Sequence, residues 1–291
     1  MYTDMYGVTR LKINTHMHTT ISDGRKTPEQ AAEIYKNAGY DRIAFTDHRI
    51  YNPGGTVNGM HVMSGAEYNV GSLRDGAEGV YHIIALGCKK DPCMTPEHAP
   101  QEVIDAIHAC GGLAILAHPY WSLNRVEKTS KLRGVDATEI YNTVSDAGQS
   151  ARPYSGHFVD ISAGIGLCYP LLAADDTHFY AGDDETKSFI MVEGDENSTD
   201  DDVLAAIRQK RFYASQGPEI HIRREGNEIV VNSSPVKRVN IFSNTVFGFD
   251  HCFRDGNYTE VRCKIEPYET FFRAEVFDED GRAAWSNILT I

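Results

Sequence analysis

The chain has 291 residues, 41% of them hydrophobic and 24% charged, and a formal net charge of −13; the proportions are those of a globular protein. The acidic balance excludes a broad basic track for a long nucleic acid, whose binders carry a basic face. No apolar run approaches the roughly 18 residues of a membrane span, and the start, MYTDMYGVTR, lacks both the basic stretch and the apolar stretch of a secretory signal.

In chain order, LKINTHMH reads as a strand and PEQAAEIYKNAGY as a helix, with Thr27 as N-cap, Pro28 in the first turn and Gly39 at the end. RIAFTDH is a second strand, followed by the loop RIYNPGGTVNG. HVMSGAEY and YHIIALG are further strands, and QEVIDAIHAC is a helix closed by Gly111 and Gly112. LAILAHP has the unbroken apolar character of a buried strand. ATEIYN, PLLAADDTH and SFIMVEG complete the set, and TDDDVLAAIRQKRFYAS reads as a last helix capped by Thr199 or Asp200. Strands alternating with helices predict parallel pairing, and about seven of them predict an α/β fold of the barrel type.

Near Gly217-Pro218 the pattern changes. EIHIRREGNEIVVNSS predicts a hairpin turning at Gly226-Asn227, and VNIFSN, EVRCKIE and FFRAEVFDEDGRAAW predict more strands with no helix. The expected organisation is a barrel over residues 1–216 and a small all-β, sandwich-like domain over 217–291. The six cysteines, at 88, 93, 110, 168, 252 and 263, form no C-x-x-C pair. They predict small buried hydrophobes in a reduced, cytoplasmic protein.

The polar residues collect at the ends of the predicted strands. The first supplies His16 and His18, one residue apart and so on one face of a strand, with Asp23 in the turn before Gly24. Asp47 and His48 end the second, Glu67 ends VMSGAEY, His118 ends LAILAHP, and Asp176 with His178 ends PLLAADDTH. His82 stands at the head of HIIALG and needs a local irregularity to join the others. In a β/α barrel the carboxyl ends of the strands surround one mouth, so these residues converge. Imidazoles and carboxylates without cysteine suit Mn²⁺, Zn²⁺ or Fe²⁺.

In that order, THMHTTISDG, AFTDH, SGAEY, HIIALG, LAHP and AADDTH resemble the motifs of the PHP (polymerase and histidinol phosphatase) superfamily over roughly residues 10–215. The resemblance implies a distorted seven-stranded barrel holding up to three metal ions. It implies one ion on His16, His18, Glu67 and Asp176, and a second on Glu67, His82 and His118. A third falls to Asp23, His48 and His178. AHPYW, ADDTHF and the closing GRAAWSN resemble a carbaryl-hydrolase-like branch with a similar small β domain.

Three divalent ions against Asp23, Glu67 and Asp176 leave a local charge of about +3, which suits a small phosphate-bearing metabolite such as a nucleotide or sugar phosphate. The expected reaction is phosphoester hydrolysis by a metal-bridging hydroxide. Candidate catalytic residues are Asp176, His178 and Glu67, with Asp47 as partner of His48 or as proton carrier. Arg49, Tyr120, Trp121 and Asn142 are candidate substrate contacts. Ser22, Ser64 and Ser122 lie in no G-x-S-x-G context, and His108, His221 and His251 are read as structural. The alternatives are a carbamate, ester or amide hydrolase using the same ions, and a non-catalytic metal-binding regulatory module.

Overall fold

In the computed structural model, residues 1–72, 79–146, 150–180, 182–248 and 250–291 are described. Strands β1 (Tyr2–Thr3) and β2 (Thr9–Asn14) precede helix α1 (Pro28–Asn37), whose capping box joins Thr27 to Gln30. There follow β3 (Arg42–Ala44), β4 (Gly55–Val57), β5 (Met60–Met63), β6 (Gly65–Ser72), β7 (Gly79–Leu86), α2 (Pro100–Ala109) and β8 (Leu113–Leu116). A short α3 (Val126–Thr129) leads to β9 (Ala137–Asn142), α4 (Gly156–Gly164), β10 (Leu171–Ala174), β11 (Phe189–Glu193) and α5 (Asp200–Arg208).

The remaining elements are strands: β12 (Phe212–Ser215), β13 (Ile220–Glu225), β14 (Glu228–Val236), β15 (Arg238–Ser243) and β16 (Cys252–Phe253). They are completed by β17 (Tyr258–Lys264), β18 (Phe271–Phe277), β19 (Ala283–Trp285) and β20 (Leu289–Thr290).

Two local expectations are corrected. The helix capped by Thr199 stops at Arg208, and the aromatic stretch expected to continue it is the buried strand β12; Phe and Tyr favour a strand once a sheet edge is at hand. Helix α4, not expected from the sequence, is apolar, bounded by glycine, and lacks a side-chain cap.

Pairing is mixed rather than parallel throughout. β2, β3 and β5 run parallel, as do β8, β9 and β10. β7 runs antiparallel to both β6 and β8, and β11 antiparallel to β2. The strands form two main sheets, one containing β2, β3 and β5 and the other running β10-β9-β8-β7-β6. Two isolated parallel bridges, Met17 to Thr177 and His48 to Glu67, join them. The expected seven-stranded barrel is thus not a continuously hydrogen-bonded cylinder; its two halves meet through single bridges beside the polar strand ends.

The antiparallel course of β7 places its first residues, with Ile83 opposite Leu116, at the carboxyl end of β8. His82 therefore needs no irregularity to reach the mouth. A register shift does occur elsewhere. Leu172 pairs with Glu139 and Ala173 with Tyr141, which leaves Ile140 as an extra residue in β9.

Apolar residues of both halves, among them Ile13, Ile84, Ile115, Ile140 and Leu172, fill the space between the sheets. The larger sheet does not end at residue 217: β12 pairs with β19, which pairs with β18. Trp285 of β19 is 2% exposed, shares the core with Ile140 and Leu172, and stacks on Tyr141 at a ring separation of 5.1 Å. The hairpin at Gly226-Asn227 forms as expected, and β13-β14-β17 make a small sheet of their own. Its apolar face packs with β15 and β18 through Val231, Val261, Ile241 and Phe272. Among the described residues no helix is long and apolar enough to cross a membrane.

Truncating Trp285 to alanine is expected to cost about 3–5 kcal/mol, the usual range for a buried tryptophan. The change leaves Trp121 as the remaining tryptophan. Its fluorescence during urea unfolding should then report an earlier transition, coincident with circular dichroism. An unshifted Trp121 transition would show that the C-terminal strands are energetically separate.

Candidate metal centre

The alternation of β2 continues past its last residue. His16 and His18 are both fully buried and face the cluster, while Met17 between them packs into the core beside α1. The backbone is held by its neighbour, with His18 N donating to Thr177 O at 2.8 Å and Asp176 N to His16 O at 2.9 Å. Beyond His18 the chain turns back on itself at Gly24. A Cβ there would sit 2.4 Å from His18 O, which no backbone permits without moving. The turn brings Asp23 to 3.7 Å from both His18 and His48 and to 3.5 Å from His178.

Asp47 is 1% exposed and fastens this turn. It accepts from Thr19 N at 2.7 Å, Thr19 Oγ1 at 2.9 Å and Ser22 Oγ at 2.8 Å. Its oxygens are thus given to the Asp23 loop rather than to His48.

Glu67 lies at the centre. Its carboxylate is 1% exposed and is faced by five imidazoles: His82 at 2.7 Å, His48 at 2.9 Å, His18 at 3.3 Å, His118 at 3.4 Å and His16 at 3.5 Å. Asp176 lies 3.0 Å from both His16 and His18. All nine residues expected as ligands are brought together. Eight of them form overlapping groups: His18, Asp23, His48 and His178; His16, Glu67 and His118; and His16, His18 and Asp176. His82 joins through Glu67, 2.7 Å away. Two donors each about 2.1 Å from one ion stand roughly 3.0–3.4 Å apart, and the separations here, from 2.7 Å at His82–Glu67 to 3.7 Å at His48–Asp23, bracket that range. His118 and Asp176 hold positive φ angles of 27° and 51°, backbone strain of the kind that clusters at functional sites.

Whether ions fit can be tested on partner counts. Glu67 Oε2, Asp176 Oδ1 and His48 Nδ1 are buried with no hydrogen-bond partner, although ring nitrogens and oxygens crowd them. Such orphans are costly unless something else satisfies them. The contrast is the grouping of Asp4, Glu219 and His221. There Arg10 and the Tyr6 and Val8 amides occupy Asp4, while Tyr2, the Met5 amide and His221 occupy Glu219. That set is a satisfied clamp on the N-terminal strand. The central cluster has the donor set and the unspent oxygens of a metal site.

Charge follows the same logic. Burial opposes protonation of His16, His18, His48 and His118, yet the adjoining carboxylates outweigh it and raise their pKa values. At His82 burial prevails and the pKa is lowered. Burial also opposes ionisation of Glu67, Asp176 and Asp23, and the imidazoles overcome it, holding all three below the ordinary carboxylate range.

The cluster floors a cavity of about 160 Å³ whose wall includes Trp121, Ser145 and Tyr180. Trp121 packs edge-on against His82 and His118, with ring separations of 5.5 and 5.0 Å. Tyr180 stacks on His178. The other expected substrate contacts are not among the residues lining this cavity. Tyr120 is exposed outside the wall, and Arg49 is exposed and bonded to Asn69. Asn142 is fully buried; its amide donates to Asp176 Oδ2 at 3.1 Å and its oxygen accepts from Ser145. It therefore orients a cluster residue. His108 bonds Asp136, and His251 lies near Glu269, both away from the cluster.

The sequence reading missed Glu139. It is fully buried in β9 and bonded to His16. The available signal was a lone acid inside the otherwise apolar or neutral stretch ATEIYN.

No family model matches the chain. Over 121 residues, covering 38% of this chain and 68% of the other, it is 30% identical to the uncharacterized protein MJ1587 of Methanocaldococcus jannaschii. The fold is similar to the crystal structure of a Bacteroides vulgatus two-domain protein containing a predicted PHP-like metal-dependent phosphoesterase. That match has a TM-score of 0.55 at 15% identity and covers 100% of this chain and 97% of that one. At this identity the likeness is one of fold.

Chelator-treated protein is expected to take up Mn²⁺ or Zn²⁺, read by elemental analysis after dialysis, and to melt at a higher temperature once loaded. An ion at a hundred times its Kd adds about 2.7 kcal/mol per site. Glu67→Gln, which removes the charge of the central carboxylate, should lose most of both effects. Equal uptake by parent and variant would remove Glu67 from the centre.

Proposed function

The chain belongs to the family of the uncharacterized protein MJ1587, and we propose that it is a metal-dependent phosphoesterase acting on a small phosphorylated metabolite, a nucleotide or sugar phosphate. The observation that carries this reading is the pair of buried carboxylates, Glu67 and Asp176, with unpartnered oxygens among imidazoles on the floor of a cavity. Bound divalent ions would supply Lewis-acid polarisation of a phosphoryl oxygen and an acidified water. His16, His18, Glu67 and Asp176 would hold one, Glu67, His82 and His118 a second, and Asp23, His48 and His178 a third. The two-domain protein of similar fold, which contains a predicted PHP-like metal-dependent phosphoesterase, supports the assignment by analogy of architecture.

The protein's own groups contribute placement. Glu67 reaches both halves of the fold and fixes the spacing of the rings around it. Asp47 holds the Asp23 turn in place. Trp121 covers one flank of the His82–His118 pair and keeps water from it. We assign the chemistry to residues 1–216 and a supporting role to 217–291, through the β12–β19 pairing.

A second reading is favoured by one observation: among the described residues, the cavity wall carries no lysine or arginine. A neutral carbamate, ester or amide needs none.

The test is inorganic phosphate release from nucleotide, sugar and aryl phosphates by Mn²⁺-loaded protein. His18→Ala should lower the rate at least about a hundredfold, since losing an outer partner of a ligand alone costs roughly 10- to 100-fold. Silence of the loaded parent across the panel, with carbamate or ester hydrolysis insensitive to added phosphate, would transfer the assignment to the second reading.

A further inference from the structure

Glu139 joins three strand ends of the cluster from behind. Oε1 is 2.8 Å from His16 Nδ1. Oε2 accepts from the His118 amide at 2.9 Å and from Asn142 Nδ2 at 2.9 Å. The same Asn142 nitrogen donates to Asp176 Oδ2. Glu139 and Asn142 share a face only because Ile140 is an extra residue between their registers. Unlike Glu67, Glu139 has both oxygens engaged, so it is spent on orientation and offers nothing to an ion.

We propose that Glu139 is the positioning residue of the centre: it keeps a proton on His16 Nδ1, leaves His16 Nε2 bare toward the ions, and steadies Asp176 through Asn142. His16 Nε2 is where this matters, 3.0 Å from Asp176 Oδ1, 3.3 Å from His18 Nε2 and 3.5 Å from Glu67 Oε1. A neutral imidazole carries one ring proton, and the partner of one nitrogen decides which atom holds it. This role rests on the metal reading above.

Glu139→Gln tests it with little change of shape. The glutamine oxygen must stay with the His118 and Asn142 donors, so its NH₂ meets His16 Nδ1 and can only be accepted there. The ring proton moves to Nε2, the atom turned to the ions. Mn²⁺ affinity by equilibrium dialysis should fall about 10- to 100-fold, the usual cost of losing such a partner. Undiminished affinity would overturn the role.

Should the variant not fold, nitrogen-15 NMR of the Zn²⁺-loaded parent reads the tautomer directly. His16 is expected with its proton on Nδ1, and a bare Nδ1 would refute the assignment. The parent's own metal content separates the two ideas: a parent that binds no ion sinks the metal centre itself, whereas a loaded parent matched by its variant sinks only Glu139.

Discussion

One buried carboxylate facing five imidazoles is the constraint on which the rest of the structure depends. Glu67 has lost its water, and an unpaired charge in such a place is expensive. Its partners come from strand ends spread between residues 16 and 118. The two main sheets meet through isolated bridges, and one of these is Glu67's own backbone against His48. The electrostatic centre and the seam of the fold are the same place. The strained φ of His118 and Asp176 and the close turn at Gly24 serve to hold that convergence.

Much of this was legible in the sequence, and what was legible was local. The His16–His18 pair announced its face through strand alternation, and Thr27 and Pro28 announced α1 through capping chemistry. Gly226-Asn227 announced a hairpin through its turn preference. The strand-end residues stood out because imidazoles and carboxylates rarely end apolar runs together. The apolar run HIIALG looked the same whichever way it paired, so the antiparallel course of β7 was hidden, and His82 with it. Helix α4 was hidden because no side chain caps it, and β12 because its aromatic run continued a helical pattern.

The C-terminal strands show a different limit. Alternation in β17, with Val261 and Cys263 turned inward, marked an all-β stretch correctly. Nothing in that pattern could disclose that β19 would join the sheet that contains β2, or that Trp285 would lie against Tyr141. The β12–β19 pairing and the Tyr141–Trp285 stack join residues far apart in the chain, and they are set by packing rather than by local preference. Glu139 was missed for a related reason: its partners, His16 and His118, are neighbours only in the folded chain.

The extra residue in β9 makes the length of one short stretch a matter of parity. Glu139 and Asn142 face the cluster while Tyr141, between them, faces Trp285. A strand one residue shorter would exchange these assignments, turning Asn142 away from Asp176 and withdrawing Tyr141 from its stack. Insertions and deletions are ordinarily absorbed by loops. Between 139 and 142 a single-residue change in length strikes the oxygen environment of Asp176 and the packing of the C-terminal sheet together. Chain length there is as much a part of the site as any side chain.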